Sequence, residues 1–148
     1  MGDVMKISKT KTTELLRMIQ DCPKDFEKRI QKESFEELSL QEYLLKLLEK
    51  KGKSASSIVT ASLMSKSYVY QILSGERHPS RDVLIRIGYA LHCDVDEMQH
   101  LLIHGGFAAL YPKVRRDAAI LCCLSKDMEL TETDSFLEEI GEKNLIQL

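Results

Sequence analysis

The chain has 148 residues, 43% of them hydrophobic and 30% charged, with a formal net charge of −2. That length can bury a core without disulfides or a structural metal, and no apolar run reaches the roughly 20 residues a membrane-spanning helix needs. Few Gly and Pro beside many Leu, Ile, Lys and Glu indicate an all-α protein, and Cys22, Cys93, Cys122 and Cys123 match no zinc spacing, which points to free thiols in a reducing cytoplasm. The N-terminus, MGDVMKISKTKT, is basic but lacks an apolar run, so no secretory signal is expected.

In chain order, Thr12–Gln20 (TTELLRMIQ) carries apolar residues at helical spacing and stops before Cys22-Pro23. A second short helix is expected over Lys24–Lys32. Ser39 and Glu42 form a capping-box pattern. The helix they open has a Leu40, Tyr43, Leu44, Leu47, Leu48 stripe and ends at Gly52. Ser54 caps the next helix, with Ile58, Val59 and Leu63 expected to face inward. Ser65 caps another, which Gly75 ends, and Pro79 follows. Ser80 caps a helix with Val83, Leu84, Ile87 and Leu91 inside, and Asp94 to Glu97 opens one that stops at Gly105-Gly106.

Shifted by 35 residues, the chain matches itself. Arg81-Asp82 falls on Arg116-Asp117, Ile85 on Ile120, Glu97 on Glu132, Leu102 on Leu137, Gly106 on Gly141 and Leu110 on Leu145. This predicts two helix pairs of similar shape, residues 81–110 and 116–145. Two units are too few for a solenoid. The expected organisation is an N-terminal helical extension (1–38), a central unit (39–106) and an acidic C-terminal helix pair (107–148) that widens the core or forms a partner surface.

Charge is unevenly placed. Residues 53–86 carry Lys53, Lys66, Arg77, Arg81 and Arg86 against Glu76 and Asp82, a local +3. Residues 127–148 carry seven carboxylates against Lys143, a local −6. An acidic chain can therefore still present a basic face.

The stretch SKSYVYQILSGERHPS (65–80) puts Lys66, Ser67, Tyr70 and Gln71 on one side of a short helix and Val69, Ile72 and Leu73 on the other. A base-reading surface has this form, and so does an ordinary solvated face. The order helix, short turn, helix over 54–75, one helix before and two after, with Gly75 and Pro79 spaced as they are, resembles the phage-repressor-like (XRE or Cro type) helix-turn-helix family over about residues 40–104. The run SYVYQILSGERHPSRDVLIRIGYAL, followed by FAALYPKVRRDAAI, resembles a bacterial subgroup with a helical C-terminal extension.

The resemblance implies a five-helix core whose 65–74 helix enters the DNA major groove by its N-terminal end. It implies base contacts from Lys66, Ser67, Tyr70 and Gln71, chemistry those side chains can supply. It implies phosphate contacts from Ser54 and Ser56 at a helix start, with Tyr68, Arg77, His78 and Lys53 nearby. Three positions depart from the family pattern: Ala55 where Gln is common, Val59 where a small Ala is usual, and Leu63 where a turn Gly is common. A bulky residue resists a left-handed backbone, so this turn is expected to differ slightly.

The implied protein is a cytoplasmic, non-enzymatic regulator that binds double-stranded DNA as a homodimer. No cofactor or metal is expected: His100 and His104 lie four apart, but their helix must also bury Met98, Leu101 and Leu102. Tyr68 and Tyr70 have half-buried ring packing as their plainer reading. Arg81 and Asp82 read as structural, capping or pairing locally. The competing function is a protein-interaction module of the same fold, whose extensions bind a toxin, kinase or other regulator.

Overall fold

The computed structural model describes residues 38–146, and the two helices expected before residue 38 lie outside them. The described residues form seven α-helices and no strands: α1 Leu40–Lys51, α2 Ala55–Ser62, α3 Lys66–Ser74, α4 Arg81–Ala90, α5 Val95–His104, α6 Arg115–Ser125 and α7 Leu130–Glu139. None is long and apolar enough to cross a membrane.

Local chemistry sets most of the boundaries. Side chains of Ser39, Ser54, Ser65, Ser80 and Asp94 each accept the N–H three residues on, which satisfies an orphan donor of the first helical turn. Asp94 and Glu97 complete a reciprocal box. At Ser39 only half of the expected box forms: Ser39 Oγ accepts from the Glu42 N–H at 3.1 Å without a return bond. Gly52 ends α1 at φ 62, a left-handed conformation that costs glycine little.

One core runs through all seven helices. Leu44, Ile58, Ile72, Leu84, Met98, Leu101, Ile120 and Leu137 are fully buried, each contributing about 1.5–3 kcal/mol through burial. Helix α4 is the hub and packs on α2, α5 and α7. It is buried from Leu84 to Ala90, so it meets protein on nearly every side. Gly88 permits that closeness, because a Cβ there would lie 2.4 Å from Met98 Cε.

The 35-residue register recurs in three dimensions. Arg81 donates to the Ala108 and Ala109 carbonyls and pairs with both oxygens of Asp117 at 3.0 and 2.9 Å. Arg116, 35 residues on, donates to the Lys143 and Asn144 carbonyls and pairs with both oxygens of Asp82 at 2.9 and 3.1 Å. The Leu110 N–H donates to Gln99, and the Leu145 N–H to Asp134. His92 and Asp127 both sit at φ 53, and Gly106 and Gly141 at φ 83 and 78. Helix α4 packs on α7 as α6 packs on α5, so the pairs α4–α5 and α6–α7 face each other across an approximate twofold.

This corrects the expectation of local pairing for Arg81 and Asp82. Their role is structural, but each reaches the opposite unit, 36 and 34 residues away. Each carboxylate receives two guanidinium nitrogens, the geometry of a strong, directional ion pair.

Candidate nucleic-acid interface

Helix α3 is nine residues long and anchored at both ends. Ser65 Oγ accepts the Tyr68 N–H at 3.2 Å, and Gly75 at φ 84 turns its N–H onto the Ile72 carbonyl. Val69 and Ile72 are fully buried. Lys66, Ser67 and Tyr70 are exposed on the opposite side, and Gln71 is half-buried beside them. Lys66 Nζ lies 5.8 Å from the Tyr70 ring centroid, within reach of a cation–π attraction that pre-orders both side chains.

The second set of expected contacts is more dispersed. Tyr68 is half-buried against the core, and Arg77 Cζ stands 5.4 Å from its ring centroid. Ring packing and an outward cation are thus combined in one pair. His78 is exposed and stacks on Phe107 with centroids 5.8 Å apart. The Ser54 hydroxyl is engaged with its own helix: Ser54 Oγ accepts the Ser57 N–H, and Ser57 Oγ accepts the Ser54 N–H. Ser56 is exposed, and Lys53 is partly buried. No hydrogen bond or ring contact among the described residues ties Lys53, Ser54 or Ser56 to α3.

Two cations credited to this region are spent elsewhere. Arg81 is paired with Asp117. Arg86 is only 8% exposed and donates to the Ser62 carbonyl at 3.1 and 2.9 Å and to the Leu63 carbonyl at 2.9 Å. Burial pulls its guanidinium below the ordinary value, against the opposing charge of Asp134. Of the five cations counted over residues 53–86, this leaves Lys53, Lys66 and Arg77, with Glu76 exposed beside Arg77.

The turn also departs from expectation. Leu63 takes φ 60 and ψ 34, the left-handed conformation it was expected to avoid, and its side chain points outward, 53% exposed, instead of into the core. Arg86 was not singled out as a site residue, although a signal was present. It stands alone in VLIRIGYAL, a helix apolar on all sides, where a cation has to be buried and satisfied.

Comparison with family models, curated proteins and solved structures finds no match to the chain. Among other clusters, His104 stacks on Tyr43 at 4.4 Å and its Nδ1 lies 3.1 Å from the Leu38 carbonyl, contacts that account for its place on α5. A cleft of about 250 Å³ between the two helix pairs is lined by Tyr89, His92, Cys93, Leu124, Asp127 and Met128. Burial pushes the Cys93 thiol up to about 12, so it is protonated at neutral pH and a poor nucleophile.

Proposed function

We propose that the protein is a sequence-specific, double-stranded DNA-binding transcriptional regulator of the phage-repressor-like helix-turn-helix type, with α3 as the helix that enters the major groove. The observation that carries this reading is the division of α3. Its buried face, Val69 and Ile72, fixes it rigidly, while the outward face presents donors and acceptors of base-reading length with a cation at the helix start. Gln71 would bond adenine N6 and N7, Lys66 guanine O6 and N7, and Ser67 and Tyr70 neighbouring base edges. Arg77, with Lys53, His78, Tyr68 and the α2 start at Ser54 and Ser56, would position the phosphate backbone. The regulator would act in a bacterial cytoplasm as a homodimer on two half-sites about one helical turn apart, without catalysis or cofactor.

A second reading has a specific observation behind it. Internal pairing removes Arg81 and Arg86 from the surface charge, which leaves a weakly basic face. That favours a module of the same fold that binds a protein partner through α3 or the extensions. Salt separates the two readings. DNA affinity falls log-linearly with salt as neutralised phosphates release counterions, whereas a helix-groove protein contact should fall far less. Selection from a random duplex pool tests the first reading directly. A compact, two-fold-symmetric motif is expected, and folded protein that enriches nothing even at low salt would overturn it.

A further inference from the structure

The corner between α2 and α3 is strained. Leu63 holds a left-handed backbone, which clashes with a Cβ, and its half-exposed side chain gains little packing in return. The neighbouring Ser62 hydroxyl is buried without a hydrogen-bond partner. The corner's polar anchoring comes instead through main-chain carbonyls, and the group that takes them belongs to another helix. Arg86 of α4 gives the Ser62 carbonyl two nitrogens and the Leu63 carbonyl one.

An arginine suits this task. Carbonyls at the end of a helix lack intrahelical donors and carry the negative pole of its dipole. A planar guanidinium can hold two of them at once in a fixed fork, which a lysine cannot. Leu84, Ile85 and Ile87 are fully buried around Arg86, so its backbone cannot move without disturbing the core.

We infer that Arg86 is a positioning residue: by gripping the Ser62 and Leu63 carbonyls it holds the left-handed turn and so sets the direction in which α3 presents Lys66, Ser67, Tyr70 and Gln71. The turn-holding half stands on geometry alone, and the functional half rests on the DNA-reading proposal above.

The test combines Arg86→Met, Arg86→Lys and Leu63→Gly in the full-length protein, read by backbone NMR, thermal unfolding and binding to the selected duplex. In the native chain, Leu63→Gly should favour folding by up to about fivefold, because glycine tolerates the turn. Arg86→Met should shift the resonances of residues 62–66 and move the Leu63 carbon shifts away from left-handed values. Leu63→Gly should then favour folding by a smaller factor, since the freed leucine has already relaxed. Adding Leu63→Gly to Arg86→Met should restore the α3 resonances and at least half of any lost DNA affinity, because glycine keeps the turn unaided. Arg86→Lys, which retains the charge but loses the fork, should show the same turn shifts and serves where Arg86→Met does not fold. Unchanged turn resonances in the arginine variants, or strictly additive stability effects, would overturn the inference whatever happens with DNA. Turn shifts as expected in chains that never bind DNA would leave the grip standing and remove the DNA reading.

Discussion

At the scale of the residue, the candidate face can be taken apart one side chain at a time. Replacing Gln71 with Ala should cost about 1–3 kcal/mol on the preferred duplex and relax preference at a single base pair, as competition binding against single-site variants would report. Arg77→Ala should behave differently. It should weaken all sequences alike and flatten the slope of log affinity against log salt by about one. Ser62→Ala belongs to another class. The Ser62 hydroxyl is buried and unpartnered, so removing it should leave the melting temperature unchanged or raise it, since the desolvated group adds nothing in place. A clear fall in melting temperature would mean that the hydroxyl has a partner in solution.

The residue scale also marks the limit of sequence reading. Ser54, Ser65, Ser80 and Asp94 were recognisable as caps because a cap depends on neighbours three positions away. Arg86 and Leu63 are not legible in this way, because the hydrogen bond that joins them spans 23 residues. Counting Arg86 as surface charge followed from composition, which carries no information on burial. The inward expectation for Leu63 followed helical spacing one residue past the point where α2 ends.

At the scale of the element, α4 deserves the closest test because α2, α5 and α7 all rest on it. A methyl at Gly88 would overlap Met98, a fully buried side chain. Gly88→Ala should therefore destabilise by about 1–3 kcal/mol through overpacking, measured by denaturant unfolding. In a double-mutant cycle with Met98→Ala the two losses should be less than additive if the methyl is the cause. The tie between α1 and α5 adds an ion-pair cluster to the shared core and the Tyr43–His104 stack. Glu97 pairs with Lys50 at 2.9 Å and Lys51 at 2.8 Å and caps α5 through the Asp94 N–H. Burial alone would raise its carboxyl, but Lys51, the Asp94 N–H and Lys50 outweigh burial and hold it below the ordinary range. Asp117 is likewise lowered, its burial outweighed by Arg81 and the Tyr111 N–H.

For the whole molecule, those two carboxyls set the direction of acid sensitivity. Each is a stronger acid folded than unfolded, so its contribution is complete above the ordinary carboxylate values of about 4 and is lost as pH falls through the lower folded values. Unfolding free energy should thus decline below about pH 4. Glu97→Gln should be less stable at pH 7 yet lose less on acidification, which a pH series of urea melts can show. The 35-residue register was legible in the sequence because Arg-Asp, Glu, Leu and Gly recur in one alignment. Which arginine meets which aspartate was not, since within-unit and between-unit pairing share the same letters. A double-mutant cycle on Asp82 and Arg116 should return a coupling on the order of 1 kcal/mol, and the cycle on Arg81 and Asp117 should match it.

Those crossed pairs have a further consequence. Each unit offers its neighbour the same arginine and aspartate that it receives, the self-complementary form by which two identical subunits join about a dyad. Here both halves lie on one polypeptide, joined by the short stretch from Tyr111 to Val114. The contact is then governed by the effective concentration of a tether and not by the amount of protein in solution. An assembly of separate subunits would come apart on dilution, whereas this one keeps its second half seated at any concentration at which the chain is folded.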